Sequence, residues 1–330
     1  MNNNAQSVQT HSGTTGTIKY LAASVQPSLY RNGVVLTRRD ADGSDGGTQG
    51  MVLAPGVVIV SNARDAAAHC TLEKNGFELL SRPLVGASID FFDHTQVVNR
   101  YYADCAQRVA DFTGARAFAF DHNVRSAQGK KSTQRLKGGQ QVQGPAQVVH
   151  GDYTLTSAPQ RLRDLTRPPG VNDTVGSALA AGQSLIPPAL AVQALENGGR
   201  FAIINVWRNI ADEPVATYPL ALCDGQSVAP EDLVVFEIHY QDRIGENYFA
   251  LHSTRHRWYY YPQMTRDEAL LIKQWDSAGT LASSTGKQGD AADLSAPCTF
   301  SFHTAFEDAT AASDAPDRLS IEVRCMVLYD

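Results

Sequence analysis

His150 and Asp152 stand two residues apart in VVHGDYT, a short run whose β-branched residues read as a strand. On a strand, residues i and i+2 share a face, so an imidazole and a carboxylate converge on one point. One further histidine from a distant strand would complete a set of two imidazoles and one carboxylate. Such a set holds a ferrous ion on one side and leaves positions open for dioxygen and a chelating organic acid. The plain alternative is a surface histidine and aspartate at a strand end.

Four downstream histidines could supply the third ligand: His239, His252, His256 and His303. His303, in TFSFHTAFED, is singled out by a triplet further along the chain, Arg318-Leu319-Ser320. An arginine offers a planar fork that grips a carboxylate with two parallel hydrogen bonds. A hydroxyl two residues on, on the same strand face, adds a third. A keto acid bound to the metal through its carboxylate and keto oxygen would present its far carboxylate there. Arg324, six residues beyond Arg318 and on the same parity, is the second candidate for that anchor. The separation of His150 and His303, 153 residues, is long and keeps His239 as an alternative ligand.

These residues need strands to hold them. From residue 147 onward the chain reads mainly as β: QVVHGDYT, RFAIINVWRNI, YPLALCD, DLVVFEIHY, NYFALHS, HRWYYYP, ALLIKQW, TFSFHTAF and LSIEVRCMVLY. Many short strands separated by turn signals predict a sandwich or barrel. Further strands are expected within 17–39, in MVLAPGVVIVSNAR, in KNGFELLS and in ARAFAFDHNVR. Val97, Tyr101, Cys105, Val109 and Phe112 recur at helical spacing and predict an amphipathic helix ending at Gly114. A second helix is expected around 174–198. Thr265-Arg266-Asp267-Glu268 matches a capping box. Asp276 and Ser277 read as turn residues.

The chain has 330 residues, 28 Lys+Arg against 34 Asp+Glu, and a net charge of −6. An acidic balance with no basic block excludes nucleic acid as the main partner. No run approaches the roughly 18–20 apolar residues of a membrane span. Five cysteines without a CxxC spacing predict buried thiols in a reduced, cytoplasmic protein. No GxGxxG, GxxxxGK[ST] or GxSxG motif is present, which removes the footing for nucleotide-binding and α/β-hydrolase readings. Residues 1–15 are expected to form a disordered tail. The polar stretch 126–146, with Lys130, Lys131, Arg135 and Lys137, reads as a long surface loop and a candidate cationic lid.

The sequence also resembles a known family. FDHNVR (120–125), VVHGDYT (148–154), SAPQRLRDL (157–165), FAIINVWRNI (201–210), YPLALCDGQSV (218–228), HRWYYYPQMTRDEALLIKQWDS (256–277), FHTAFED (302–308) and RLSIEVR (318–324) are similar to blocks of the Fe(II)/2-oxoglutarate oxygenases. The branch is that of fungal and bacterial hydroxylase/desaturases, which includes a gibberellin desaturase and relatives of a cephamycin methoxylation protein. The resemblance implies a mainly β fold with flanking helices, built on a double-stranded β-helix, or jelly roll. It implies one oxygenase domain over 16–330, with 16–146 an N-terminal α/β elaboration and 147–330 the core. It further implies Fe(II) on His150, Asp152 and His303, 2-oxoglutarate on Arg318, and O₂ as the oxidant.

Around that centre, Ser320 and Asn205 are expected to help hold 2-oxoglutarate, Asn205 at its C1 carboxylate. Strand alternation puts Asn205 and Trp207 on one face and Arg208 on the other. Tyr153, Trp207 and Arg208 are assigned to the substrate pocket. The expected reaction is hydroxylation or desaturation of an unactivated C–H in a small molecule of secondary metabolism, with release of succinate and CO₂. The substrate is expected to be carboxylate-bearing or amino-acid-derived, and the protein a monomer or homodimer. Two other readings stay open: a catalytically inactive accessory protein on the same fold, and a cupin-type metal enzyme that does not use 2-oxoglutarate.

Overall fold

The computed structural model describes residues 13–330 except 40–44, 66–68, 85–88, 127–141, 171, 197, 241–242 and 286–294. The expected tail lies almost wholly outside the described residues, as do the four cations of the expected lid.

The N-terminal strands are β1 (Gly13–Leu21), β2 (Leu36–Arg39), β3 (Asp45–Gln49), β4 (Leu53–Asn62), β5 (Phe77–Ser81) and β6 (Arg116–Ser126). They are followed by β7 (His150–Gly151), β8 (Phe201–Asn209), β9 (Leu220–Cys223), β10 (Leu233–His239) and β11 (Ile244–Ala250). The last are β12 (Trp258–Tyr260), β13 (Glu268–Asp276), β14 (His303–Ala305), β15 (Glu307–Asp308) and β16 (Leu319–Leu328). They form an 11-stranded sheet, β15-β1-β4-β12-β9-β14-β7-β11-β10-β2-β3, and a 5-stranded sheet, β5-β13-β8-β16-β6. The centre of the large sheet, β9-β14-β7-β11, is antiparallel throughout, as is the whole small sheet. This is the mainly β, jelly-roll architecture expected, and each strand expected after residue 147 is present.

The sequence of β16 shows why the small sheet can carry a polar site. Ile321, Val323, Cys325 and Val327 point outward and join one apolar cluster with Ala202, Ile204 and Val206 of β8. The alternate residues Ser320, Glu322 and Arg324 are buried on the inner face, toward the large sheet. Buried polar residues persist only when partnered or when kept for a ligand.

The outer face of the small sheet is covered by a helix. It starts as α1 (His94–Gln96), passes through one π turn (Val97–Tyr101) and continues as α2 (Tyr102–Thr113). Asp93 caps its start by accepting from the Thr95 and Gln96 N–H groups at 3.0 and 3.2 Å. Gly114 ends it in the left-handed region, φ 69°, with its N–H donated to the Ala110 carbonyl. Val97, Tyr101, Cys105 and Val109 reach the same apolar cluster as the strands, as their spacing predicted, whereas Phe112 is exposed.

Two local signals are met in part. Around 174–198 there is a 3₁₀ turn, Thr174–Ala178, and a separate α4 (Pro188–Leu195), preceded in the chain by α3 (Ser157–Asp164). Gly182 at φ 80° and the Pro187-Pro188 pair break the intervening stretch. At Thr265 the side chain of Glu268 does accept the Thr265 N–H at 2.8 Å, but the motif closes a turn into β13 rather than opening a helix.

Candidate metal centre

β7 and β14 are hydrogen-bonded neighbours, and their register sets His303 directly opposite His150. The two imidazole centroids are 4.3 Å apart, tilted by 49°. Asp152 follows the end of β7, where its N–H donates to the Gln274 Oε1 at 3.0 Å. Between the two, Gly151 faces the other way and packs against the Phe300 ring, where a Cβ would sit at 3.1 Å. The ligand atoms of His150, Asp152 and His303 all lie within 4.8 Å of one another, and all three residues are buried. His239, by contrast, pairs with Glu237 at 2.8 Å on β10 and takes no part. His256 is held between the Tyr20 hydroxyl and Asp232, and His252 packs edge-on against Tyr20.

The hydrogen bonds sort the atoms of the cluster. His150 Nδ1 donates to the Val148 carbonyl at 2.8 Å, which fixes the proton there and turns the Nε2 lone pair inward. Asp152 receives two donors, Asn205 Nδ2 at 3.0 Å and Arg324 Nε at 2.9 Å, and both go to Oδ2. Oδ1 is left facing His150 Nε2 at 3.8 Å, too long for a hydrogen bond. A cation placed among them would give these two atoms and His303 a strong shared partner. The donor set, imidazole and carboxylate with room for further ligands, suits Fe(II).

Electrostatics keep the donors in their ligating forms. Burial, with His303 as neighbour, pushes the His150 imidazole down to about 4, so it is neutral near pH 7. Burial likewise lowers His303. Burial alone would raise Asp152, but the Arg324 guanidinium and the two imidazoles hold it well below the usual carboxylate range.

A small cleft opens from this cluster and is lined by His150 and His303, Trp207, Arg318, Arg125 and Glu322. Arg318 is buried and donates to the Tyr218 carbonyl, while its Nε has no partner among the described residues. Its guanidinium carbon lies 5.7 Å from the Trp207 ring centroid. Burial, reinforced by Arg125, pushes it down to about 9, so an anion beside it would be strongly favoured. Ser320 Oγ is buried and also without a partner among the described residues. An orphaned guanidinium nitrogen and an orphaned hydroxyl two residues apart fit the far carboxylate of 2-oxoglutarate.

Three expected positions are otherwise engaged. Arg324 gives all its arms to carboxylates: Asp152, Asp121 at 2.9 Å and Glu322 at 3.0 Å. It therefore orients the metal ligand and is not free to anchor a cosubstrate. Asn205 spends its amide N–H on Asp152, though its Oδ1 is buried without a partner. Arg208 is no pocket residue: it lies on the outer face of β8, donating to the Tyr101 hydroxyl at 3.1 Å and to the Arg82 and Arg266 carbonyls. Trp207 does line the cleft, whereas Tyr153 packs beside the apolar core, near Arg324 and Arg161, and not on the lining. Sequence reasoning gave no role to Arg125, Asp121, Glu322 or Gln274. Arg125 and Asp121 stand in FDHNVR, a block noted for its resemblance, but only strand pairing with β16 shows where they point.

Comparison with known proteins agrees with this geometry. Residues 32–328 match the family described as oxidoreductase/YMDC permease-like domain. Among the described residues, no helix is long and apolar enough to cross a membrane. An uncharacterized protein from the dcmA 3′ region of Methylophilus leisingeri is 42% identical over 194 residues, covering 58% of this chain and 89% of its own. The Fe(II)/2-oxoglutarate-dependent dioxygenase nvfI of Aspergillus novofumigatus is 30% identical over 280 residues, 83% of each chain. The solved structure of the iron and alpha-ketoglutarate-dependent endoperoxidase NvfI shares the fold, with a TM-score of 0.69 at 23% identity over 96% of this chain and 98% of that one. The chain belongs to the oxidoreductase/YMDC permease-like domain family and, by its similarity to nvfI, to the Fe(II)/2-oxoglutarate-dependent dioxygenases.

Proposed function

We propose that the protein couples oxidative decarboxylation of 2-oxoglutarate to hydroxylation or desaturation of an unactivated C–H bond in a small molecule of secondary metabolism. One observation carries this reading: the ligand atoms of His150, Asp152 and His303 lie within 4.8 Å of one another, and the cleft that His150 and His303 line is also lined by Arg318, whose Nε, like the Oγ of Ser320 two residues on, has no partner among the described residues. When bound, Fe(II) with 2-oxoglutarate activates O₂ and supplies the oxidising chemistry. The chain's own part is to hold and exclude. His150, Asp152 and His303 set the ligand geometry, and Arg324 with Asn205 holds Oδ2 of Asp152 so that Oδ1 is left toward the His150 Nε2. Arg318 and Ser320 fix the far end of 2-oxoglutarate, which orients its chelating end. Trp207 forms an apolar wall beneath Arg318 and keeps that ion pair away from water.

The substrate is proposed as carboxylate-bearing or amino-acid-derived. The protein is proposed to act as one domain over 16–330, in the cytoplasm, as a monomer or homodimer.

Anaerobic titration of the protein with Fe(II) and 2-oxoglutarate tests the reading. A weak visible charge-transfer band is expected, absent in His150→Ala and weakened in Arg318→Ala. Metal binding without response to 2-oxoglutarate would favour a cupin-type enzyme. Absence of metal binding would favour an accessory protein.

A further inference from the structure

The charges around the cleft are balanced in a way that the metal ligands and Arg318 alone do not explain. Arg125 lies on β6 directly opposite Ser320 of β16, so its side chain shares the inner face with the Arg318 and Ser320 subsite. It lines the same cleft as His150, His303 and Arg318. It donates to the Gly144 carbonyl at 3.1 Å, and among the described residues no carboxylate lies within ion-pair distance of it. Two neighbouring guanidiniums, Arg125 and Arg318, thus face one half-enclosed space without a counter-ion in contact. That arrangement is unfavourable unless something anionic enters.

A count of the charged groups that line the cleft or bond to Asp152 and Arg324 is consistent with a dianion. Three carboxylates, Asp121, Asp152 and Glu322, stand against three guanidiniums, Arg125, Arg318 and Arg324. The set is neutral by itself. A divalent cation on the His150, Asp152 and His303 cluster leaves two positive charges, and a dicarboxylate returns the set to neutrality. Removing Arg125 from the set would leave a dicarboxylate with one negative charge uncompensated.

We propose that Arg125 is a second cosubstrate-binding guanidinium, which grips the far carboxylate of 2-oxoglutarate together with Arg318 and Ser320. This rests on the 2-oxoglutarate reading above and deepens it. Two guanidiniums on one carboxylate make the site select a dicarboxylate over a monocarboxylic keto acid.

The test is calorimetric titration of the Mn(II)-loaded protein, anaerobically and without organic substrate, with 2-oxoglutarate and with 2-oxopentanoate. The latter has the same chain but no far carboxylate. Arg125→Gln is expected to weaken 2-oxoglutarate by about tenfold or more while leaving 2-oxopentanoate and Mn(II) affinity unchanged. Arg125→Lys, which keeps the charge but not the fork, should recover part of the loss. Unchanged 2-oxoglutarate affinity in Arg125→Gln would overturn the proposal and return Arg125 to the organic substrate. Equal weakening of both keto acids would overturn it too, as the sign of a merely structural role. If the wild-type protein binds neither keto acid, the cosubstrate reading itself fails, an outcome distinct from both.

Discussion

The two oxygens of Asp152 have different partners, and that asymmetry governs the centre. Oδ2 accepts from Asn205 and Arg324, and Oδ1 is kept for a metal. A carboxylate turned by such outer partners binds metal more tightly than one free to rotate. Arg324→Met is therefore expected to lower Mn(II) affinity about 10–100-fold, read by titration of the folded variant. Unchanged affinity would show that Asp152 needs no such orientation. Residue by residue, much of the site could be read from the sequence. The i/i+2 rule pointed to His150 with Asp152 and to Arg318 with Ser320, because same-face spacing within one strand needs no knowledge of its neighbours. The same rule also put Arg324 on the right face, yet it could not show that Asp152, Asp121 and Glu322 claim it first. Which side chains cross from one strand to the next depends on register, and register is a long-range property. Gln274, Asp121 and Arg125 escaped notice for that reason.

Among the elements, helix and strand periodicity carried the reading well and local motifs carried it poorly. The helix ending at Gly114 was visible because its apolar spacing and its terminal glycine agree. Gly114 adopts φ 69° with nothing within 4 Å of the position a Cβ would take, so a side chain there meets backbone strain and no clash. Gly114→Ala is expected to cost about 1 kcal/mol in urea denaturation. A neutral result would mean that the helix end relaxes without the left-handed residue. By contrast, the Ala- and Leu-rich stretch at 174–198 had composition without an unbroken period, and Gly182 and Pro187-Pro188 decided it. The Thr265–Glu268 motif kept its hydrogen bond while leading into a strand, because the adjoining apolar run ALLI is claimed by pairing with β5 and β8.

For the molecule as a whole, the two-sheet class followed from the number and spacing of strands, but the sheet order did not. β1 and β4 extend the large sheet while β5 and β6 complete the small one, and neither partner choice is encoded within a strand. Asp276, expected as a turn residue, shows what a wholly buried carboxylate does in such a body. It accepts from Lys273 at 2.8 Å and from Arg200 at 2.7 and 3.0 Å, tying the end of β13 to the start of β8. Burial would raise its pKa, but the bonds from Arg200 and Lys273 overcome this and lower it. Its contribution to stability is therefore complete above the unfolded value of about 4 and is lost as pH falls through the depressed folded value. Asp276→Asn is expected to lose about 3–5 kcal/mol at neutral pH and to lack that acid-side component. Parallel stability-against-pH curves for the two proteins would rule out this role for Asp276. The two sheets, on this reading, close around one ferrous site, with the far end of the cosubstrate on the small sheet. Anomalous scattering at the iron edge, from crystals grown anaerobically with Fe(II) and 2-oxoglutarate, examines that arrangement at the atoms concerned. A single peak is expected, bonded to His150 Nε2, Asp152 Oδ1 and His303, with keto-acid density running to Arg318. A peak bonded to Asp152 Oδ2, or to a cluster lacking His303, would refute it.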